Sequence, residues 1–96
     1  MTGFKDLAAD RRFQQMFEAA DGAEHPVWAE YAVRGQSRVI LHVEAHPALR
    51  GTGAAGRFMQ ALAEYARAEK ITLIPHCSYA VAWLKRHPEY EDVLGS

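Results

Sequence analysis

Apolar residues change their spacing several times along the chain, and each change marks a change of backbone. Arg38-Val39-Ile40-Leu41-His42-Val43 is a β-branched apolar run too short for an ordinary helix, so it reads as a strand and should be central. Before it, Val27 to Val33 carries Trp28 and Tyr31 among small residues and also reads as a strand, with Arg34-Gly35-Gln36-Ser37 as a hairpin turn. Asp21-Gly22 marks an earlier turn. From Ala54 to Lys70 the spacing becomes three and four: Phe58, Leu62, Tyr65 and Ala66 form one buried stripe of an Ala-rich helix. Ile71-Thr72-Leu73-Ile74 is short, β-prone and closed by Pro75, so the helix can serve as a crossover between two parallel strands. Tyr79 to His87 reads as a second helix in which Ala80, Trp83 and Leu84 cover the sheet, and His87-Pro88 stops it. Arg11 to Phe17 is ambiguous. Phe13, Met16 and Phe17 suit a helical face, Phe13, Gln15 and Phe17 suit a strand, and the local pattern leans to helix.

The segment joining the central strand to the long helix carries candidate chemistry. Pro47 favours extended backbone at His46, and the chain then enters Leu49-Arg50-Gly51-Thr52-Gly53-Ala54-Ala55-Gly56. Closely spaced glycines permit a tight turn with room for a ligand against the main chain. The first amides of the helix that follows lack intrahelical acceptors, and its dipole is positive there. A diphosphate suits such a place, with Arg50 and Arg57 at its edges; a turn that merely precedes a packing helix fits the same residues. The loop lacks the Lys-Ser/Thr ending of a triphosphate-binding loop, and it falls too late and too short for a dinucleotide βαβ unit with an acidic partner about twenty residues on.

Composition narrows the classes. A chain of 96 residues with 49% apolar content suits one compact unit, residues 1–96. Eleven Lys plus Arg against twelve Asp plus Glu, a formal charge of −1, provides no broad basic surface, so no nucleic-acid partner is expected. No apolar run nears the roughly 18 residues of a membrane span, and Met1 to Asp10 has no signal-like pattern. One cysteine forms no internal disulfide. The expected setting is cytoplasmic, away from membranes.

Four segments in fixed order carry a more specific signal: His42-Val43-Glu44, Leu49 to Ala55, Ile74-Pro75-His76-Cys77-Ser78-Tyr79, and Arg86-His87-Pro88-Glu89-Tyr90. Together they resemble the small Gcn5-related N-acetyltransferase-like family (GNAT), YjdJ type. Arg50 to Ala55 also resembles the broader Gln/Arg-x-x-Gly-x-Gly/Ala signature of acetyltransferases. The resemblance implies a truncated α/β (α+β) fold, a mostly antiparallel sheet with two packed helices. Strands near 38–43 and 71–75 would run parallel and splay apart to admit the pantetheine arm of acetyl-CoA. It also favours a strand for Arg11 to Phe17. Cofactor contacts are implied at Val43, Glu44, Arg50, Gly51, Thr52, Gly53, Ala54, Ala55, Gly56, Cys77 and Tyr79, and the acceptor would be an amine or a protein. Two departures stand out: the family commonly has His-Thr-Glu at 42–44 and Pro-x-Cys-Pro at 75–78. Ser78 is expected to cap the second helix in place of the proline.

Three residues are catalytic candidates. Cys77 follows the second parallel strand at a helix N-terminus beside His76, where a thiolate can be stabilised; it would carry the acyl group, line the cleft, or simply pack. Glu44 stands where the strand is expected to lose regularity and would accept the amine proton, or else be a solvated carboxylate or a partner for Arg50. His42 shares its face by alternation and would orient Glu44 or play a structural part, and His46 would extend the row if the strand continues. Tyr79 and Tyr90 are candidate acids or packing residues. The spacing of His42, Glu44, His76 and Cys77 is not that of a zinc site, so no metal is expected. Against transfer to an amine, here through the main-chain amides near Val43 to Ala45, stand two rivals: a non-enzymatic acyl-CoA-binding module and an interaction domain with an exposed strand edge.

Overall fold

A computed structural model describes residues 3–95; Met1, Thr2 and Ser96, which the single-unit expectation includes, lie outside the described residues. Strands β1 (Lys5–Leu7), β2 (Arg12–Glu18), β3 (Glu24–Arg34), β4 (Ser37–Ala45) and β5 (Thr72–Pro75) form one sheet in sequence order. All neighbours are antiparallel except β4 and β5, which are parallel and joined by helix α1 (Ala54–Glu69). Helix α2 (Ser78–Arg86) follows β5, and a 3-10 stretch, Pro88–Val93, closes the chain. β4 is flanked on both sides as expected, although β3 holds the middle position.

The local helical lean for residues 11–17 gives way to the strand that the resemblance implies: residues 12–18 form β2, and Arg11 is a left-handed turn residue before it, φ 51°. Phe13, Gln15 and Phe17 are buried at a period of two while Met16 is 38% exposed. Pairing decided what local pattern left open. β2 matches β3 from Arg12↔Glu30 to Glu18↔Glu24, and the Phe13 and Tyr31 rings stack at 4.3 Å. β1, absent from the sequence expectations, is held by Asp6, which accepts from the Tyr31 hydroxyl at 2.6 Å and the Tyr65 hydroxyl at 3.2 Å.

One face of the sheet is covered. α1 presses Phe58, Met59, Leu62, Ala63 and Ala66 onto Phe13, Val27, Ala29, Tyr31, Ile40 and Leu73. Tyr65 of the expected stripe sits at its margin, half-buried. The helix ends where Lys70 turns left-handed, φ 58°, and returns its amide to the Ala66 and Arg67 carbonyls. α2 lies in the same layer, contributing Ala80, Trp83 and Leu84. Trp83 stacks on His87 at 3.7 Å, and Tyr90 donates to Glu64 on α1 at 2.8 Å. Arg67 clamps the 3-10 stretch through both carboxylate oxygens of Asp92, each at 2.7 Å.

Two irregularities shape the middle of the sheet. Between Glu30↔His42 and Tyr31↔Ile40 the register shifts, leaving Leu41 as a bulge residue that is 50% exposed. The extra residue lets Ile40 and Val43, three apart, both face the core. Second, β5 pairs with β4 only from Ser37↔Thr72 to Ile40↔Pro75. The chain then swings away, with the amides of His76 and Cys77 both donating to the Ile40 carbonyl at 2.9 and 3.2 Å. β4 continues to Ala45 without that neighbour, and a wedge opens between the strands.

Candidate functional site

The turn at the mouth of α1 is built from within. Thr52 donates to the Leu49 carbonyl twice, from its amide at 3.1 Å and its hydroxyl at 2.6 Å, while the same hydroxyl oxygen accepts from the Ala54 amide at 3.2 Å. Gly51 and Gly53 take φ of 80° and 78°, which a side chain would strain. The first helical bond runs from Arg57 to Gly53. Among the described residues, no group accepts from the amides of Gly51, Gly53, Ala55 or Gly56. These donors converge at the positive end of a 16-residue helix. Arg50 is exposed beside them, and Arg57 lies over the Phe17 ring at 5.1 Å.

Gly56 keeps this end open toward α2. A Cβ there would stand 3.5 Å from Trp83 Nε1 and 4.0 Å from the Tyr79 hydroxyl, so the two helices approach across a bare backbone. Burial raises the Tyr79 pKa above its ordinary value, with the nearby Cys77 adding to the effect and Arg86 opposing it, and the hydroxyl stays protonated at neutral pH.

The wedge is lined by β4 main chain. His46 donates to the Pro26 carbonyl, and Trp28 pairs with Glu44. Antiparallel alternation therefore turns the amides of His42 and Glu44 toward β3 and those of Val43 and Ala45 into the wedge. Their side chains point the opposite ways. Val43 and Ala45 pack on the core, whereas His42 and Glu44 stand on the uncovered face, His42 Nε2 to Glu44 Oε1 at 2.8 Å. About half of each of these two side chains is exposed.

Several expectations need correction here. Glu44 sits in the regular ladder, opposite Trp28, and the break in regularity falls at Leu41. Its carboxylate is paired with His42 rather than Arg50. His46 leaves the strand: its Nδ1 accepts from the Ala48 amide and its ring stacks on His25 at 4.2 Å. Ser78 does not cap α2. It is the first helical residue, Cys77 is the N-cap, and no side chain makes a capping bond. Cys77 is nonetheless at the helix start as expected, half-buried against the core at the point where β5 leaves β4. Tyr90 is buried and bonded to Glu64, which makes it a packing residue.

The structure thus groups the candidates in three places: the turn 50–56 with Tyr79, the apex of the wedge with Cys77, whose amide donates to the Ile40 carbonyl, and the His42–Glu44 pair on the open face. Local pattern did not point to Trp83 beside Gly56 or to the bulge at Leu41. Only the interruption of the Ala-rich helix by Gly56 hinted at a close approach.

The chain thus combines an α+β sheet holding one splayed parallel pair with a glycine turn and free amides at the start of the helix between those strands. The family model for GCN5-related N-acetyl-transferases matches residues 16–93, and the chain belongs to that family. Its fold is also that of a GCN5-like protein from Staphylococcus aureus solved by NMR, with a TM-score of 0.66 and 23% identity over 100% of this chain and 92% of the other.

Proposed function

We propose that residues 1–96 act as a single GNAT-like domain, close to the YjdJ type, that transfers an acetyl group from acetyl-CoA to an amine. The observation that carries this reading is the set of four unpartnered amides, Gly51, Gly53, Ala55 and Gly56, at the start of α1 and beside a wedge in the sheet. A diphosphate fits them by charge and by the bare glycine surface, with Arg50 adding a cation. When bound, acetyl-CoA supplies an activated thioester. The chain contributes the rest. The Val43 and Ala45 amides donate to an oxygen lying in the wedge. Glu44, oriented by His42, takes the proton from the incoming ammonium and leaves a nucleophilic amine. A C–N bond forms as the C–S bond breaks; the Tyr79 hydroxyl donates a proton to the departing sulfur and regains one from the newly acylated nitrogen, which leaves a neutral amide and the free CoA thiol. Cys77 lines the wedge apex.

Calorimetric titration with CoA, followed by radiolabelled acetyl transfer to a panel of amines and proteins, tests the reading. Binding with transfer is expected, whereas no heat and no shift in melting temperature would sink it. Binding without transfer would return the non-enzymatic module. A chemically stable labelled adduct that persists unchanged in Cys77→Ser would eliminate the cysteine as an acyl carrier.

A further inference from the structure

Trp83 on α2 is held in place from several sides. It is 7% exposed, its ring stacks on His87 at 3.7 Å with the planes 11° apart, and a second stack, on Tyr90, lies at 5.8 Å. His87 is itself tied down: its Nδ1 donates to the Trp83 carbonyl at 2.7 Å and its amide to the Leu84 carbonyl at 3.2 Å. The segment His87 to Tyr90, which the transfer step does not use, thereby fixes the plane of the indole and with it the direction of its N–H. Among the described residues that N–H has no acceptor. A buried donor left unpaired is costly, and the two tryptophans differ in this respect. The Trp28 N–H is sealed from water, whereas that of Trp83 is not and looks onto solvent.

Gly56 shows where the N–H is aimed. The place that a Cβ of Gly56 would take is empty and is bounded by Trp83 Nε1 at 3.5 Å and by the Tyr79 hydroxyl at 4.0 Å. A helical Cα–Cβ bond leans toward the helix N-terminus, so this place borders the unpartnered amides of Ala55 and Gly56. Neither backbone nor packing asks for glycine there: its φ is not positive, and both distances are ordinary contacts that a methyl group would tolerate. Glycine in a helix costs stability relative to alanine, which α1 uses freely elsewhere. We propose that Gly56 keeps this place free for a diphosphate oxygen of the coenzyme, and that the Trp83 indole N–H binds that oxygen from α2 while the main-chain amides of α1 hold the rest of the diphosphate. The proposal rests on the coenzyme reading of the turn and adds a side-chain donor to it. A neutral N–H already aligned by its stacking partners gives the anion a charge-assisted hydrogen bond without the ordering of a flexible cation.

The test uses the full chain, isotope-labelled at nitrogen. Its two indole N–H signals, told apart by the one that Trp83→Phe removes, are followed by NMR in titrations with CoA, ADP and pantetheine. CoA and ADP, which carry the diphosphate, should move the Trp83 signal together with the amides of residues 51–56. Pantetheine, which lacks it, should not, and the signal of Trp28, opposite Glu44 on the uncovered face, should stay in place throughout. Trp83→Phe keeps an aromatic ring over His87 without the N–H. Gly56→Ala fills the empty place with a methyl group and should melt no lower than the parent chain. Each variant should weaken CoA binding about tenfold by calorimetry, the loss of one hydrogen bond to a charged group. Movement of the 51–56 amides with a stationary Trp83 signal, an equal response to pantetheine, or undiminished CoA affinity in Gly56→Ala would each overturn the inference and leave the coenzyme reading of the turn standing. CoA that moves neither the amides nor the indole would sink both.

Discussion

At the residue scale, the divided orientation of 42–45 matters most. Two side chains face solvent while the main chain between them faces the wedge, so one short segment can hold a thioester oxygen and deprotonate an amine at once. Glu44→Gln keeps the shape and the bond to His42 but loses the basic oxygen. Turnover should fall about a hundredfold or more, with CoA affinity unchanged by calorimetry. Gly53→Ala is its counterpart on the cofactor side. No atom would obstruct the methyl group, yet φ of 78° is costly for any side chain. A loss of about 1–2 kcal/mol in urea unfolding is expected, together with weaker CoA binding as the turn relaxes. Residue types at these positions were legible in the sequence, and so was the shared side of His42 and Glu44. The pairing of Glu44 with His42 rather than Arg50 was not, because ion pairs follow distances that the ladder sets.

At the element scale, α1 does double duty. Its buried stripe fixes the helix against the sheet, and that anchorage holds its N-terminal amides at the wedge. Leu62 is fully buried in mid-helix, so Leu62→Ala should cost about 2–5 kcal/mol by denaturant melting, through lost burial and a residual cavity. The α1 periodicity announced itself within the segment. The bounds of α2 differed from expectation by one residue at each end because capping there falls to Cys77 and His87. β2 shows the opposite case. Its seven residues satisfy either period locally, and pairing with β3 along their whole length supplies the hydrogen bonds and the Phe13–Tyr31 contact that make extended backbone win.

At the scale of the whole molecule, three of the four tyrosines tie distant parts together. Tyr31 and Tyr65 join β3 and α1 to Asp6 near the N-terminus, and Tyr90 joins the C-terminal 3-10 stretch to α1. Burial, reinforced by the Asp6 carboxylate, pushes the Tyr31 pKa up to about 12, and burial also raises those of Tyr65, Tyr79 and Tyr90. The unfolded chain ionises its tyrosines near pH 10, before the folded one does. The contribution of Tyr31 to stability is therefore complete below about pH 10 and is lost as pH rises to about 12. Absorbance titration at alkaline pH should place all four phenols above the ordinary tyrosine value, and urea melts should show stability falling through that window. Tyr31→Phe should flatten the fall.

The sequence by itself determined the helices, the turn, the β4 strand and the order in which candidate chemistry appears, because periodicity, glycine placement and chain order act over a few residues. Resemblance to a family added the strand at β2 and the splayed pair. Tertiary structure alone decided the bulge at Leu41, the wedge beyond Ile40 and the approach of Trp83 to Gly56. Each of these depends on which strand lies beside which and in what register, and register is settled by pairing and burial among residues far apart along the chain.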